Sequence, residues 1–252
     1  YPIFLEVVNN DKISIGPPFY HKLIVPFMIP FLIFMAIGPN LNWIKDKINK
    51  INLQQLLFFI LSIIISFIFL KRVGISYLFS LPLFIASIFL FLITIKDFSV
   101  KKTNLSQKIS HFGFSLFILS VLVNGVLAKE YSSNMKVGDE RKFLNKTIKF
   151  ESLQINQSKN YQSLEANFKI TDKNNSINLK PEVRVYDQPQ TITSEADIKS
   201  TLYSDNFLVF NILKNDGFYN VRYQIKPFMI WIWISIILIS FGGILSIVKK
   251  NG

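Results

Sequence analysis

The chain contains no cysteine among its 252 residues. It therefore has no disulfide, no thiolate ligand for zinc and no cysteine nucleophile of its own. Histidine is almost as scarce, since only His21 and His111 are present. The sequence also lacks a nucleophile elbow, a P-loop, a Rossmann glycine pattern and an HExxH pair. These absences exclude many familiar enzyme classes and direct attention to the two histidines.

Charged side chains are nearly absent from five long apolar stretches. A helix needs about 20 consecutive, mostly apolar residues to cross the ~30 Å hydrocarbon core of a bilayer. Hydrophobic residues make up 50% of this chain, which is unusually high for a soluble protein of this length. The sequence therefore predicts a membrane α-helical bundle of about five transmembrane helices, approximately at residues 19–38, 52–70, 74–95, 109–128 and 227–248.

Proline and glycine lie inside several of these predicted spans. Pro26 and Pro30 are expected to kink the first span, and Pro82 the third. Kinked membrane helices need neighbours that satisfy the freed carbonyl groups, so the spans are expected to pack together. Gly242 and Gly243 in the last span could allow another helix to approach closely.

The net charge of +12 is concentrated around the membrane spans. Residues 129–225 carry 14 Lys/Arg and 12 Asp/Glu, so that segment is nearly neutral. The basic residues cluster in two loops between spans and at the C-terminus, on one side of the membrane. The positive-inside rule makes that side the cytoplasm, or the matrix of an organelle. The charge therefore indicates topology, and we expect no nucleic-acid partner.

The polar segment between the last two spans reads as a separate β-rich domain. In "TIKFESLQI", "EVRVY" and "FYNVRYQI" apolar and polar residues alternate, which is typical of half-buried antiparallel strands. We expect an external antiparallel sandwich or barrel, with a possible short helix at residues 192–204. The predicted organisation is an external lead-in at 1–18, a four-helix membrane region at 19–128, the β-domain at 129–226, and a last helix with a cytoplasmic tail at 227–252.

His111 lies in the apolar helix "QKISHFGFSLFILS". An ionisable side chain within a membrane is costly to leave unpaired, so it is a functional candidate by default. A neutral imidazole suits metal ligation, because burial disfavours its charged form. A hydrogen-bonded packing role is the alternative, and the residues alone leave both open.

Five blocks of sequence together resemble one known family. They are "YPIFLEVVNNDKISIGPPFY", "GPNLNW", "SHFGFSLFILSVLVNG", "KPEVRVYDQPQTITSEADI" and "KPFMIWIW". Their order and spacing are similar to the C-terminal part of the CcmF family of cytochrome c-type biogenesis proteins, the haem lyase subunits of bacteria and some mitochondria. The chain begins with Tyr1 and is expected to be the C-terminal piece of such a protein.

The resemblance implies a function in attaching haem to proteins. Family members take haem from a haem chaperone to apocytochrome c, whose CxxCH cysteines form thioether bonds with the haem vinyl groups. They work with other cytochrome c maturation subunits in the bacterial or mitochondrial inner membrane, with the β-domain on the periplasmic or intermembrane-space side. They also hold a haem b within the membrane through two histidines.

His111 in "SHFG" matches one of those axial haem ligands, with Ser110 in place of the usual small residue. The resemblance implies that the second ligand, the tryptophan-rich motif and the external histidines lie outside this chain, so catalytic residues stay unknown. His21 is not expected to be the partner ligand, because it begins its span on the opposite side of the membrane, roughly 20 Å from His111. We interpret it as an interfacial residue.

Further residues near these motifs have two possible roles. Gly113 and Ser115 are small and could let a flat macrocycle approach the helix of His111. Asn124 is expected to make an interhelical hydrogen bond, with a haem propionate as the alternative partner. In the β-domain Glu182, Arg184 and Tyr186 match family positions and could contact the chaperone or apocytochrome, although a structural role in a strand is equally compatible.

Two other functions remain alternatives. A non-enzymatic membrane sensor or assembly scaffold with an external β-domain would have the same topology. A transporter would place strongly polar groups near the membrane midplane at broken helices, and these spans contain few.

Overall fold

The computed structural model describes residues 17–40, 53–74, 80–99, 104–172, 175–213 and 217–251. The predicted lead-in before residue 17 and most lysines of the two basic loops lie outside these ranges. The chain divides into two compact units. A helical unit comprises residues 1–122 and 234–252, and a β-rich unit comprises residues 123–233.

Within the described residues, five α-helices form where the apolar stretches predicted them. Three of them, in the described part of the chain, are long and apolar enough to cross a membrane: Leu53–Val73, Leu105–Leu127 and Met229–Val248. Together with the β-rich unit between the last two helices, they confirm the predicted fold class. The helices are α1 (Pro17–Ile37), α2 (Leu53–Val73), α3 (Leu81–Asp97), α4 (Leu105–Leu127) and α5 (Met229–Asn251).

Helix α3 begins later than predicted, at Leu81 and not at residue 74. Pro82 therefore occupies the first turn of the helix. The first-turn N–H groups of a helix have no partner within the helix, so proline is accepted there without breaking a hydrogen bond. The prediction that Pro82 kinks a span was wrong for this reason. Pro26 and Pro30 do lie inside α1.

Helices α1 and α3 share an apolar core. Leu32 and Ala36 of α1 are buried with Ala86, Phe89 and Leu90 of α3. The ring of Phe59 on α2 contacts that of Phe89 edge-on, with centroids 5.4 Å apart. Small residues at such positions let helix backbones approach closely, which is how helices associate within lipid.

The β-rich unit is an antiparallel sandwich. One sheet has the strand order β1-β10-β9-β8, and the other has β2-β3-β4-β6-β7 with β5 paired to β4. The strands are β1 (Lys129–Met135), β2 (Glu140–Phe143), β3 (Lys146–Gln157), β4 (Tyr161–Thr171), β5 (Ser176–Leu179), β6 (Glu182–Tyr186), β7 (Thr191–Glu195), β8 (Asp197–Ser200), β9 (Ser204–Ile212) and β10 (Tyr219–Pro227).

The core of the sandwich is built from alternate residues of both sheets. The rings of Phe150 and Phe168 stack at 4.3 Å, and Phe150 also contacts Tyr219 of the opposite sheet at 5.6 Å. Contacts of this kind join the two inner faces, as in other β-sandwiches. The buried core residues are Met135, Ile148, Phe150, Ala166, Phe168, Ile170, Leu179, Val183, Leu208, Phe210, Val221 and Tyr223.

A β-bulge explains the irregular alternation in β3. Ile148 and Phe150 are fully buried, whereas the next apolar residues, Leu153 and Ile155, have odd numbers. The register with β4 shifts between Phe150 and Ser152, because β3 contains one extra residue there. After this bulge the odd-numbered residue Leu153 faces the core. Ile155 lies near the end of the strand and is 79% exposed.

Residues 192–204 contain strands β7 and β8 and the start of β9, so the predicted short helix there was wrong. Strand β7 pairs with β6, and β8 pairs with β9. Local sequence could not decide between these states, because neighbouring strands supply the hydrogen bonds.

Candidate functional site around His111

His111 lies in the second turn of α4, six residues after the helix begins. At 1.5 Å per residue this places it about 9 Å along the helix axis. Its side chain is only partly buried. Phe114 and Ser115, at positions i+3 and i+4, follow on the same face of the helix. The contacts on this face therefore show which helices lie next to His111.

The face that carries Ser115 packs against α3. The hydroxyl groups of Ser115 and Thr94 are hydrogen-bonded at 2.8 Å, and both residues are buried. The ring of Phe112 lies 5.6 Å from that of Phe91 and 5.7 Å from that of Phe98. These contacts fix the two helices in an antiparallel register.

That register brings Asp97 alongside His111. Asp97 follows Thr94 by one turn of α3, and His111 precedes Ser115 by one turn of α4. Asp97 is only 7% exposed, and its carboxyl group interacts electrostatically with the His111 ring. Asp97 was not among the residues that the sequence predicted for a site. The available signal was an acidic residue directly after the apolar run of the third span.

A second face of α4 packs against α5. A Cβ atom at Gly113 would lie 3.0 Å from the Ile239 nitrogen and from Leu238 Cβ. A Cβ atom at Gly242 would overlap Ser110 Oγ and would lie 2.8 Å from the Ser110 nitrogen. Gly242 therefore permits the close helix approach that the sequence predicted, whereas Gly243 has open space around it.

These contacts contradict the hypothesis that Gly113 and Ser115 make room for a macrocycle. Helix α5 fills the space beside Gly113, and Thr94 of α3 hydrogen-bonds Ser115. Both residues are buried and serve helix packing. They hold α4 between its two neighbours, so the backbone that carries His111 is fixed on two sides.

The donor set around His111 suits a ligand that needs only one protein group. Within the described residues, no cluster of three or more His, Cys, Asp or Glu side chains could hold a metal ion. A bare metal ion generally takes several protein ligands, whereas the iron of haem needs only axial ones. His21 lies in α1, but its side chain is outside the described residues, so its interfacial role stays a prediction.

Asn124 makes a hydrogen bond within the protein. Its side-chain Nδ2 donates to the Pro227 carbonyl oxygen at 2.6 Å, which joins the last turn of α4 to the end of β10. The predicted interhelical hydrogen bond was wrong, because the acceptor Pro227 ends a strand and does not belong to another helix. This bond uses one of the two N–H donors of the Asn124 side chain.

Glu182, Arg184 and Tyr186 lie on one face of β6. Arg184 Nε and Glu182 Oε2 form an ion pair at 2.8 Å, and the guanidinium lies 4.9 Å from the centre of the Tyr161 ring. The hydrogen bond to Glu182 raises the pKa of Arg184, and the hydrogen bond to Tyr186 raises it further by a smaller amount. These contacts support the strand, and they leave Arg184 partly exposed.

The sandwich also contains a polar network that the sequence did not reveal. Tyr223 donates its hydroxyl proton to Asn206 Oδ1 at 2.6 Å, and Lys146 Nζ donates to the same oxygen at 2.8 Å. Burial raises the pKa of Tyr223 and lowers that of Lys146. The network joins β3 of one sheet to β9 and β10 of the other, which is a structural role.

The fold and the described site define a class: a membrane protein of several helices with an antiparallel sandwich inserted before its last helix. Residues 126–227 match the family described as "CcmF C-terminal beta-sandwich". The helices and the sandwich together also match a solved structure titled "Cytochrome c Heme Lyase CcmF", with a TM-score of 0.70, 18% identity, and coverage of 96% of this chain and 41% of the other.

Curated relatives cover the same region. The cytochrome c-type biogenesis protein CcmF of Pseudomonas aeruginosa is 22% identical over 271 residues, which include 100% of this chain and 40% of that protein. CcmF of Escherichia coli is 24% identical over 256 residues, or 98% of this chain and 40% of its own length. The chain is therefore similar from end to end to the C-terminal part of CcmF, as predicted, and spans about two fifths of the length of these relatives.

Proposed function

We propose that this chain acts in cytochrome c biogenesis as the C-terminal portion of a haem lyase. In this proposal the whole protein attaches haem to the CxxCH motif of apocytochrome c, and His111 is one axial ligand of a haem b within the membrane. The observation that carries it is a lone imidazole on α4, a helix able to span a membrane, held against neighbouring helices on two sides. The similarity to CcmF supports the same reading.

A single histidine suits haem because the porphyrin itself fills four positions around the iron, and the protein supplies the axial ones. A haem b held by His111 would supply one-electron chemistry at this position. His111 would offer the lone pair of one ring nitrogen, and Asp97 lies on the neighbouring helix one turn from Thr94, where its charge acts on the ring. The interhelical contacts of Ser115, Gly113 and Gly242 limit the movement of the α4 backbone. In this proposal the second axial ligand would come from a part of the protein outside this chain.

The remaining parts of the proposal follow the resemblance. The protein would reside in the bacterial or mitochondrial inner membrane, with the sandwich on the periplasmic or intermembrane-space side. There it would meet a haem chaperone, apocytochrome c and other maturation subunits. The partly exposed Arg184 on β6 is a candidate contact for one of these partners.

The test uses the chain together with the upstream part of the protein, purified in detergent. His111→Gly should lose the Soret absorbance of the membrane haem, and added imidazole should restore it, because the small ligand can enter the space left by the ring. His21→Ala is the control and should keep the absorbance. A His111→Gly variant with an unchanged haem spectrum would refute the ligand assignment.

The alternative of a sensor or assembly scaffold makes a different prediction. In that case the intact protein carries no haem, and His111→Gly leaves the yield of mature cytochrome c in cells unchanged. Haem staining of the cellular cytochromes measures that yield. A loss of both the Soret band and mature cytochrome c would favour the haem lyase over the scaffold.

A further inference from the structure

The turn between β8 and β9 presents two large apolar side chains to the outside. Leu202 and Tyr203 form its tip and are 58% and 76% exposed. Thr201 and Ser204 close the turn. The Thr201 N–H donates to the Ser204 carbonyl at 3.0 Å, and the Ser204 N–H donates to Thr201 Oγ1 at 3.0 Å. The tip is thus a defined structure with its side chains projecting.

This composition is unusual for a tip that faces water. Two-residue hairpin tips generally contain glycine, asparagine or aspartate, which suit the backbone of such turns and are polar or small. Leucine and tyrosine have neither advantage. Their presence indicates an environment in which apolar surface is favourable, with a place for the tyrosine hydroxyl at a polar edge.

Hydrogen bonds tie the tip to the beginning of α5. The Phe228 N–H donates to the Tyr203 carbonyl at 2.9 Å, and the Trp231 indole nitrogen donates to the Leu202 carbonyl at 2.9 Å. Both carbonyl groups of the tip are therefore satisfied by residues that surround the start of the helix at Met229. The tip lies level with the first turn of α5.

The first turn of α5 marks a membrane boundary, because the helix is long and apolar enough to cross a bilayer from Met229 to Val248. Trp233, one turn into the helix, is 60% exposed, and tryptophan is enriched at membrane interfaces. The hydrogen bond from Asn124 to Pro227 brings the last turn of α4 to the same level. Within the β-rich unit, the last residues of α4, the first residues of α5 and the tip therefore lie at the same end of the sandwich.

We propose that the Leu202–Tyr203 tip inserts into the interfacial layer of the lipid bilayer and anchors the sandwich to the membrane surface. Its partner is the phospholipid leaflet on the side of the β-domain. Leu202 contributes apolar contact with the acyl chains, and Tyr203 contributes its ring while its hydroxyl stays among the head groups. This inference rests on the membrane span of α5 and is independent of haem binding.

The absence of cysteine from the chain allows a direct measurement. Tyr203→Cys is labelled with a nitroxide, in the protein expressed with its upstream part and reconstituted into phosphatidylcholine–phosphatidylglycerol vesicles. Any cysteines of the upstream part are first replaced by serine. Collision of the label with oxygen, which concentrates in lipid, is compared with collision with a water-soluble nickel complex.

Ile155→Cys is the matched control. Ile155 is 79% exposed, as Tyr203 is 76% exposed. The tip lies beside Pro227, the last residue of β10. Along β3, Lys146 contacts Tyr223, and Phe150 contacts Tyr219, which is further from Pro227. Strand β3 therefore runs away from the tip towards Ile155. A label at 155 should therefore collide mainly with the nickel complex.

We expect oxygen collisions to exceed nickel collisions at position 203 and the reverse at position 155. Leu202→Cys provides a second label should Tyr203→Cys fold poorly, and the same excess of oxygen collisions is expected there. Nickel access at 203 equal to that at 155 would overturn the proposal. Shielding of the tip label from both reagents would overturn it as well, since it would show that protein, and not lipid, covers the tip.

Discussion

Gly242→Ala should push α4 and α5 apart. The added Cβ atom would overlap Ser110 Oγ, and it would lie 2.8 Å from both the Ser106 carbonyl oxygen and the Ser110 nitrogen. The hydroxyl can rotate away, but the two backbone atoms cannot. Inserting a methyl group into such a closely packed site costs about 1–3 kcal/mol. Alanine has a helix propensity more favourable than that of glycine by roughly 1 kcal/mol, which partly offsets this cost.

Gly243→Ala separates the two effects. A Cβ atom at Gly243 has nothing within 4 Å, so this variant gains the helix propensity without the overlap. When the free energy of unfolding of one variant is subtracted from that of the other, the contribution of helix propensity cancels. We therefore expect Gly242→Ala to be less stable than Gly243→Ala by about 1–3 kcal/mol. Reversible unfolding in mixed micelles, driven by an increasing fraction of dodecyl sulfate, measures both free energies of unfolding.

Removing the Ser110 side chain tests the cause of the cost. Ser110→Gly combined with Gly242→Ala should recover only part of the lost stability, because the backbone overlaps remain. Equal stability of Gly242→Ala and Gly243→Ala would refute the close approach of α4 and α5. Full recovery by Ser110→Gly would show that the Ser110 hydroxyl alone, and not the backbone, opposes the added methyl group.

Three other substitutions follow from the same contacts. Thr94→Val removes the hydrogen bond to Ser115 and should lower the free energy of unfolding in micelles by about 0.6 kcal/mol, the average for such bonds between membrane helices, and by no more than about 1.7 kcal/mol. Ser240→Ala, which removes only a bond within α5 to the Ile236 carbonyl, should cost less. Tyr223→Phe should destabilise the protein by about 1–3 kcal/mol, because the buried Asn206 loses a hydrogen-bond donor. Burial raises the pKa of Tyr223 above its usual value of 10.0, so its contribution is present below that pH and is lost as the pH rises towards the native pKa. Denaturant unfolding on both sides of pH 10 should therefore show wild type losing more stability than Tyr223→Phe, and parallel curves would contradict this. Arg184→Met should lower the free energy of unfolding by less than about 1 kcal/mol, since the ion pair with Glu182 is partly exposed. A larger loss in thermal denaturation would show that Arg184 is essential to the sandwich.

Local sequence patterns were sufficient to predict most of the secondary structure. A membrane helix satisfies its own backbone hydrogen bonds, so twenty apolar residues almost define it. Strand β10 was visible because Val221 and Tyr223 are buried whereas Arg222 between them is exposed. Strands β7 and β8 were less visible, because they are short and largely exposed, and their hydrogen bonds come from neighbouring strands.

The candidate site was predicted only in part. The sequence singled out His111, because an imidazole in an apolar helix is rare whatever surrounds it. It did not reveal Asp97, which becomes the neighbour of His111 only when Thr94 and Ser115 set the register of α3 and α4. Gly113 and Ser115 were assigned to the wrong neighbour, since a small residue shows that something approaches closely but not what approaches.

The sequence by itself determined the membrane spans, the alternating strands and the isolated histidine, because each depends on residues close together in the chain. Tertiary structure decided which groups meet: the Tyr223–Asn206–Lys146 network, the approach of Gly242 to Ser110, and the attachment of the Leu202–Tyr203 tip to the start of α5. Those contacts join residues that are distant in sequence. Their partners are set by packing, which no local pattern records.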